Sequence, residues 1–251
     1  TDTAFITNEW RCDYQFDGSD VPQNKGSIDV TGGWYDAGDY GKYVVNGGIS
    51  VWTLQNIYER AMAQGTTDKW ADGNQDIMYI PESGNGSPDI LDEAAVELDW
   101  FIECMQRDDG MVYHKTHDYK WTALATLPSQ DVGPDGKTKL MRIVKPATYA
   151  ATLNLAATGA QGYRVWKDID SSRAQKYLDA AEKAYSAAKT LYDSGATELD
   201  GASLYAPMDQ SVGGGPYGDT EVSDDFYWAA CELFAATGDS KYETDLKSYS
   251  E

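Results

Sequence analysis

Apolar residues recur along much of this chain at the three- and four-residue spacing of a helix that buries one face. The clearest case is SPDILDEAAVELDWFIECMQRDDG, where Ile90, Leu91, Ala94, Leu98, Phe101, Ile102 and Met105 share one side. Ser87 stands where an N-cap belongs, Pro88 at the first helical position, and Asp89 and Asp92 where negative charge suits the helix dipole. The same spacing predicts helices near 47–64, 146–162, 172–193 and 223–237, the last capped by Ser223 and stopped by Gly238. A sixth begins at Asp239. No convincing series of segments alternates apolar and polar residues, so the pattern predicts an all-α chain. The closing stretch GDSKYETDLKSYSE reads as a helix with no stop signal, as though the architecture continued past it.

The connections are uneven. About 40 residues run from Asp108 to Lys145 and nearly 30 from Asp193 to Val222, against the few that usually join helices. Long loops on a rigid scaffold are where sites are expected. Both carry aromatic and acidic residues, among them Tyr113, Tyr119, Trp121, Tyr205, Tyr217 and Asp219.

Charge narrows the function classes. Against 41 acidic residues stand 20 basic ones, a formal net charge of −21 spread along the chain. Such a surface repels phosphate backbones, so no nucleic-acid partner is expected, and it leaves carboxylates that could hold a hard cation. No apolar run reaches the roughly 18 residues of a membrane span. The start TDTAFITNEW lacks the basic-then-apolar order of a signal peptide, so any export signal is expected to have been removed already. Cys12, Cys104 and Cys231 form neither a disulfide framework nor a CxxC pair. Cys104, Cys231 and Trp228 lie in amphipathic helices and are read as packing residues.

The stretch DVTGGWYDAGDYGKYVVNGG sets Asp36 and Asp39 three positions apart in a glycine-bearing turn. Two carboxylates so placed can converge on one water, one removing its proton and the other orienting it. Trp34, Tyr35 and Tyr40 offer flat faces for sugar rings. Asp-rich turns also bond their own backbone, and spacing alone leaves that reading open. His114 and His117 could both face a metal if their segment were helical, but zinc needs three or four ligands and the set is incomplete, so zinc is not expected.

The run DVTGGWYDAGDYGKYVVNGG resembles the signature of the glycoside hydrolase family 9 catalytic domain, the inverting cellulases. SPDILDEAAVELDWFIECMQ, ATYAATLNLAATGAQGYRVWKDID and SDDFYWAACELFAATGDSKY resemble later helices of that family, in order. The resemblance implies an (α/α)6 toroid of twelve helices, of which this chain supplies about half. Residues 1–251 would be the N-terminal portion of one catalytic domain. It implies secretion, a β-1,4-glucan substrate, and hydrolysis with inversion. Asp39 would then be the general base and Asp36 the residue that places the water. The general-acid glutamate is expected outside this chain, supplied by a second chain or a missing segment that also covers the exposed apolar faces.

In GGGPYGDTEVSDD the resemblance implies a calcium ion held by Asp224 and Asp225, with oxygens from Thr220 and Glu221. Without a metal, the same acids would complement a helix start. The segment HDYKWTALATLP resembles one that contacts glucosyl units, making Trp121 and then Tyr119 stacking candidates, with Tyr40 and Tyr217 as further substrate contacts. A reading from another class is a calcium-dependent polysaccharide-binding module that hydrolyses nothing.

Overall fold

The computed structural model describes residues 1–11, 14–15, 19, 25–133, 135–137 and 139–249; Cys12 lies outside them. Six helices occur among these residues: α1 (Val44–Gln64), α2 (Asp89–Trp100), α3 (Tyr149–Trp166), α4 (Ser171–Asp193), α5 (Ser223–Thr237) and α6 (Ser240–Tyr249). Two caps differ from expectation. Ser87 is not the N-cap of α2; Pro88 is, with extended φ and ψ, and its carbonyl accepts the amides of Leu91 and Asp92. Ser223 is the first residue of α5 rather than its cap, and Val222 precedes it without a side-chain hydrogen bond. Gly238 does end α5, in the left-handed conformation at φ 70°.

Helix α3 is apolar nearly all round, with both faces buried, and it packs against α1, α4 and α5. Its glycines permit that closeness. A Cβ at Gly159 would lie 2.9 Å from the Tyr177 carbonyl, and one at Gly162 would lie 2.9 Å from Gln55 Oε1. Thr148 caps the helix through a 3.1 Å bond from the Ala151 amide. Helix α1, by contrast, leaves Ile49, Ile57 and Met62 exposed. Among the described residues no helix is long and apolar enough to cross a membrane.

The helical expectation is met by these six helices, but it left out short strands. Nine short strands are present among the described residues, from β1 (Thr3–Ile6) and β2 (Ser27–Asp29) through β3 (Lys42–Tyr43), β4 (Val112–Tyr113), β5 (Lys115–Asp118), β6 (Arg142–Val144) and β7 (Ala147–Thr148) to β8 (Glu198–Leu199) and β9 (Ala202–Ser203). Five of them form one sheet in the order β2-β1-β6-β5-β3. Strands β1 and β6 run parallel, with Phe5 opposite Ile143, and the other pairs are antiparallel, with Tyr43 opposite Lys115. The long connection after Asp108 therefore carries sheet strands at both its ends, β4 and β5 first and β6 last.

These strands escape a hydrophobicity reading because they bury charge. Lys42, Lys115, His117, Asp118 and Arg142 are all buried. Three of them have ionic partners, as buried charges need: Lys42 Nζ lies 3.2 Å from Asp2, and Arg142 lies 3.1 Å from Asp2 and 3.2 Å from Asp118. The polar sheet sits beside the apolar helical core, and β3 runs directly into α1.

Candidate active site

The segment between β2 and β3 is held on both flanks. Gly32 and Gly33 have φ of 98° and 68°, and a Cβ on Gly33 would lie 2.8 Å from the Trp100 ring at the end of α2. Glycine is required there for both reasons. The Trp34 amide donates to Glu97 Oε2 of α2 at 2.5 Å. Lys42 Nζ donates to the carbonyls of Val30 at 2.7 Å and Gly32 at 2.8 Å. On the far side Arg142 donates to the carbonyl of Tyr40 at 3.0 Å, and the Asp36 amide closes the turn onto the Gly41 carbonyl at 2.9 Å. Tyr40 itself has φ 55°, a left-handed backbone uncommon for a tyrosine.

This frame presents Asp36 and Asp39 differently. Asp36 is exposed and both its oxygens accept: Oδ1 from the Asn46 side chain on α1, and Oδ2 from the Tyr217 hydroxyl at 2.6 Å. Asp39 Oδ2 accepts from the Tyr43 hydroxyl at 2.8 Å. Its Oδ1 is buried and has no hydrogen-bond partner among the described residues. One carboxylate is thus fully engaged, and the other keeps an acceptor in reserve. Such an oxygen can take a proton from a bound water, while its neighbour fixes geometry.

Burial sets the charge of the surrounding groups. The Glu97 carboxyl is pushed up to about 8 by burial, offset in part by the Trp34 amide and Lys42. Asp118 is likewise pushed up to about 8 by burial, against the pull of Arg142. Tyr217 is raised to about 12 by burial and by its bond to Asp36, so it remains a donor at neutral pH. The notion of a helical histidine pair fails on geometry. His114 precedes β5 and His117 lies within it; His114 bonds Thr148 Oγ1 at 3.0 Å and the Pro216 carbonyl at 3.1 Å. Burial lowers both imidazoles, His114 to about 3.

The aromatic candidates separate. Trp121 is 51% exposed and sits next to Thr122, whose hydroxyl contacts the Asp39 carbonyl at 3.5 Å. Tyr119 is 1% exposed and cannot stack on a sugar; it packs with Tyr14, Met141 and Ile143. Tyr119 directly follows β5, whose four residues are all buried, and continues that buried run. Tyr40 stands edge-on to Tyr35 at 5.1 Å and donates its hydroxyl to the Thr126 carbonyl. Tyr217 bonds Asp36, which places it at the carboxylates whatever else it touches.

Of the acids near α5, Asp225 has a buried Oδ2 with no partner among the described residues. Burial and the charges of Asp219 and Asp224 push its carboxyl up to about 8. An uncompensated carboxylate with two acidic neighbours suits a hard cation. Glu221 instead accepts the Ser223 amide at 3.1 Å, while Thr220 is exposed. Among the described residues no three Asp, Glu, His or Cys side chains converge as a metal-ligating group. The donor set fits at Asp225 and, on side chains alone, is not complete.

Three residues that hold the site were not singled out from the sequence: Tyr43, Asn46 and Glu97. Tyr43 and Asn46 lie a few positions past the paired aspartates, within one turn of the start of α1, which is the signal that could have found them. Glu97 reads as a polar position on an amphipathic helix, and nothing local marks it as buried.

Residues 3–251 match the family model described as glycosyl hydrolase family 9. Over 245 residues the chain is 48% identical to a cellulose 1,4-beta-cellobiosidase of Acetivibrio thermocellus, covering 94% of this chain and 25% of that protein. It is 44% identical over 239 residues to endoglucanase C of Cellulomonas fimi, covering 94% of this chain and 19% of that one. The crystal structure of a metagenome-derived family 9 endoglucanase superposes with a TM-score of 0.74 at 36% identity, over 89% of this chain and 36% of the other. The chain thus spans about a quarter or less of the length of these two curated relatives. With the signature turn, the helix order and the match over nearly its whole length, the chain belongs to glycosyl hydrolase family 9.

Proposed function

We propose that this chain carries the base side of a cellulase-type active site that hydrolyses β-1,4-glucosidic bonds with inversion. The observation that carries the reading is the asymmetry of the two carboxylates. Asp39 has one oxygen fixed by Tyr43 and one buried oxygen unpartnered among the described residues, as a general base needs. Asp36, held by Asn46 and Tyr217, orients the water. Inversion requires a second carboxyl group about 6.5–9.5 Å from the base, with room for water between. Glu97 does not serve, since it is buried behind the turn and bonded to the Trp34 amide. Following the family resemblance, the acid is assigned to a segment or second chain that completes an (α/α)6 toroid. The exposed Ile49, Ile57 and Met62 of α1 are the kind of surface that such a partner would cover.

The named activities of the two curated relatives support a cellulose-like glucan as substrate; secretion follows from the family resemblance, and exposed Trp121 is the stacking surface. A calcium ion at Asp225 and Asp224, with oxygens of Thr220 and Glu221, would supply rigidity and no reaction step. The purely binding alternative has no support in those relatives, both named for glucan cleavage. The test is Asp39→Asn in the completed catalytic domain. Reducing-end release should vanish while cello-oligosaccharide binding survives, and NMR of the parent enzyme's first product should show the α-anomer. Retained hydrolysis would remove Asp39 from the base role.

A further inference from the structure

The run Gly213, Gly214, Gly215 lies against the catalytic turn more tightly than any side chain would permit. A Cβ at Gly213 would be 2.1 Å from the Asp118 carbonyl, and one at Gly214 would be 2.5 Å from the Tyr43 hydroxyl oxygen. What this closeness delivers is a donor: the Gly215 amide reaches that oxygen at 3.0 Å, so the phenol accepts from the loop and donates onward to Asp39 at 2.8 Å. Two residues later the same loop sends the Tyr217 hydroxyl to Asp36. The rings of Tyr43 and Tyr217 meet edge-on at 4.7 Å. Lys115 Nζ, 5.8 Å from the Tyr43 ring, also donates to the Gln210 and Gly215 carbonyls and so ties the loop down.

We propose that Tyr43 is the positioning residue for Asp39, set in place by the Gly215 amide, so that the loop 213–217 fixes both carboxylates at once. Tyr43 is 2% exposed and cannot reach a glucan. Among the described residues it is the only side-chain donor to the Asp39 carboxylate. A phenol bonded to a carboxylate is a charge-assisted pair, short and directional. Without it the carboxylate is free to rotate, and misplacement of a base by about 1 Å can cost on the order of a hundredfold in rate.

The proposal rests on Asp39 being the base, and two variants of the completed catalytic domain separate the claims. Turnover is expressed per cello-oligosaccharide-binding site, so that any unfolded fraction is not counted. Tyr43→Phe should lower kcat by about 10- to 100-fold and leave KM within about twofold, because the group acts on the base and not on the sugar. Asp39→Asn should abolish turnover. If Asp39→Asn is dead and Tyr43→Phe keeps kcat within about twofold, or loses KM instead, the positioning role is overturned and the base assignment stands. If Asp39→Asn turns over normally, the base assignment falls, and the positioning role with it.

Discussion

Two acidic clusters of this molecule solve the same electrostatic problem in opposite ways. Around Asp36 and Asp39, three of four carboxylate oxygens receive donors from α1, from the turn's own flank and from the loop 213–217. Around Asp225, the neighbours are Asp219 and Asp224, and the buried oxygen receives nothing from the described residues. The first cluster is organised by protein donors and keeps one oxygen for chemistry. The second has a need that a cation would meet. Negative charge in the sequence looks alike in both places; the supply of donors is what differs between them.

The contrast breaks most sharply under substitution. Asp39→Ala should lower turnover of the completed enzyme by about three orders of magnitude or more, with little change in melting temperature, as measured by reducing-sugar release and calorimetry. Asp36→Asn should cost about a hundredfold, since the amide nitrogen that replaces one oxygen cannot accept from Tyr217 or Asn46. At the other cluster the effect falls on stability. Stripping divalent ions with a chelator should lower the melting temperature by several degrees, and calcium alone should restore it. Asp225→Asn should erase that response while leaving turnover per folded molecule nearly unchanged. A chelator effect on turnover as large as that of Asp39→Ala would merge the two clusters into one site and remove the distinction drawn above.

A smaller test concerns Glu97. Its folded carboxyl titrates near 8 against an ordinary 4.5, so the folded state holds a proton that the unfolded state has released between those values. Its contribution to stability is complete below about pH 4.5 and is lost as pH rises through about 8. Glu97→Gln should flatten that part of the stability curve, measured by urea midpoints at several pH values. Least of all, Trp121→Ala should raise KM a few-fold with kcat nearly intact, as loss of one exposed stacking face would.

The helices were legible because their burial is written in apolar spacing, and all six begin within a few residues of where the pattern sets them. The sheet was not, because among its buried positions are Lys42, Lys115, His117, Asp118 and Arg142, held by ion pairs and by hydrogen bonds to backbone carbonyls. The site divided likewise. Asp36, Asp39 and Trp121 stand out by the resemblance of their segments to a known family, since spacing alone leaves the aspartate pair open to a turn-bonding reading. Tyr119 was misassigned because an aromatic residue in a long loop looks the same whether it faces solvent or core. Tyr217, remote in sequence from Asp36, could be tied to it only by the folded chain, and so could Glu97 to Trp34.

The parallel pairing of β1 with β6 has a consequence in time. Phe5 must wait for Ile143 before the middle of the sheet exists, and the buried cation that grips the turn at Tyr40 is Arg142 on that same late strand. Closing so long a loop is entropically slow, and during synthesis the early segment emerges far ahead of its partner. The aspartates are therefore translated early and assembled late. Until β6 docks, the nascent chain carries the paired aspartates without the frame that orients them.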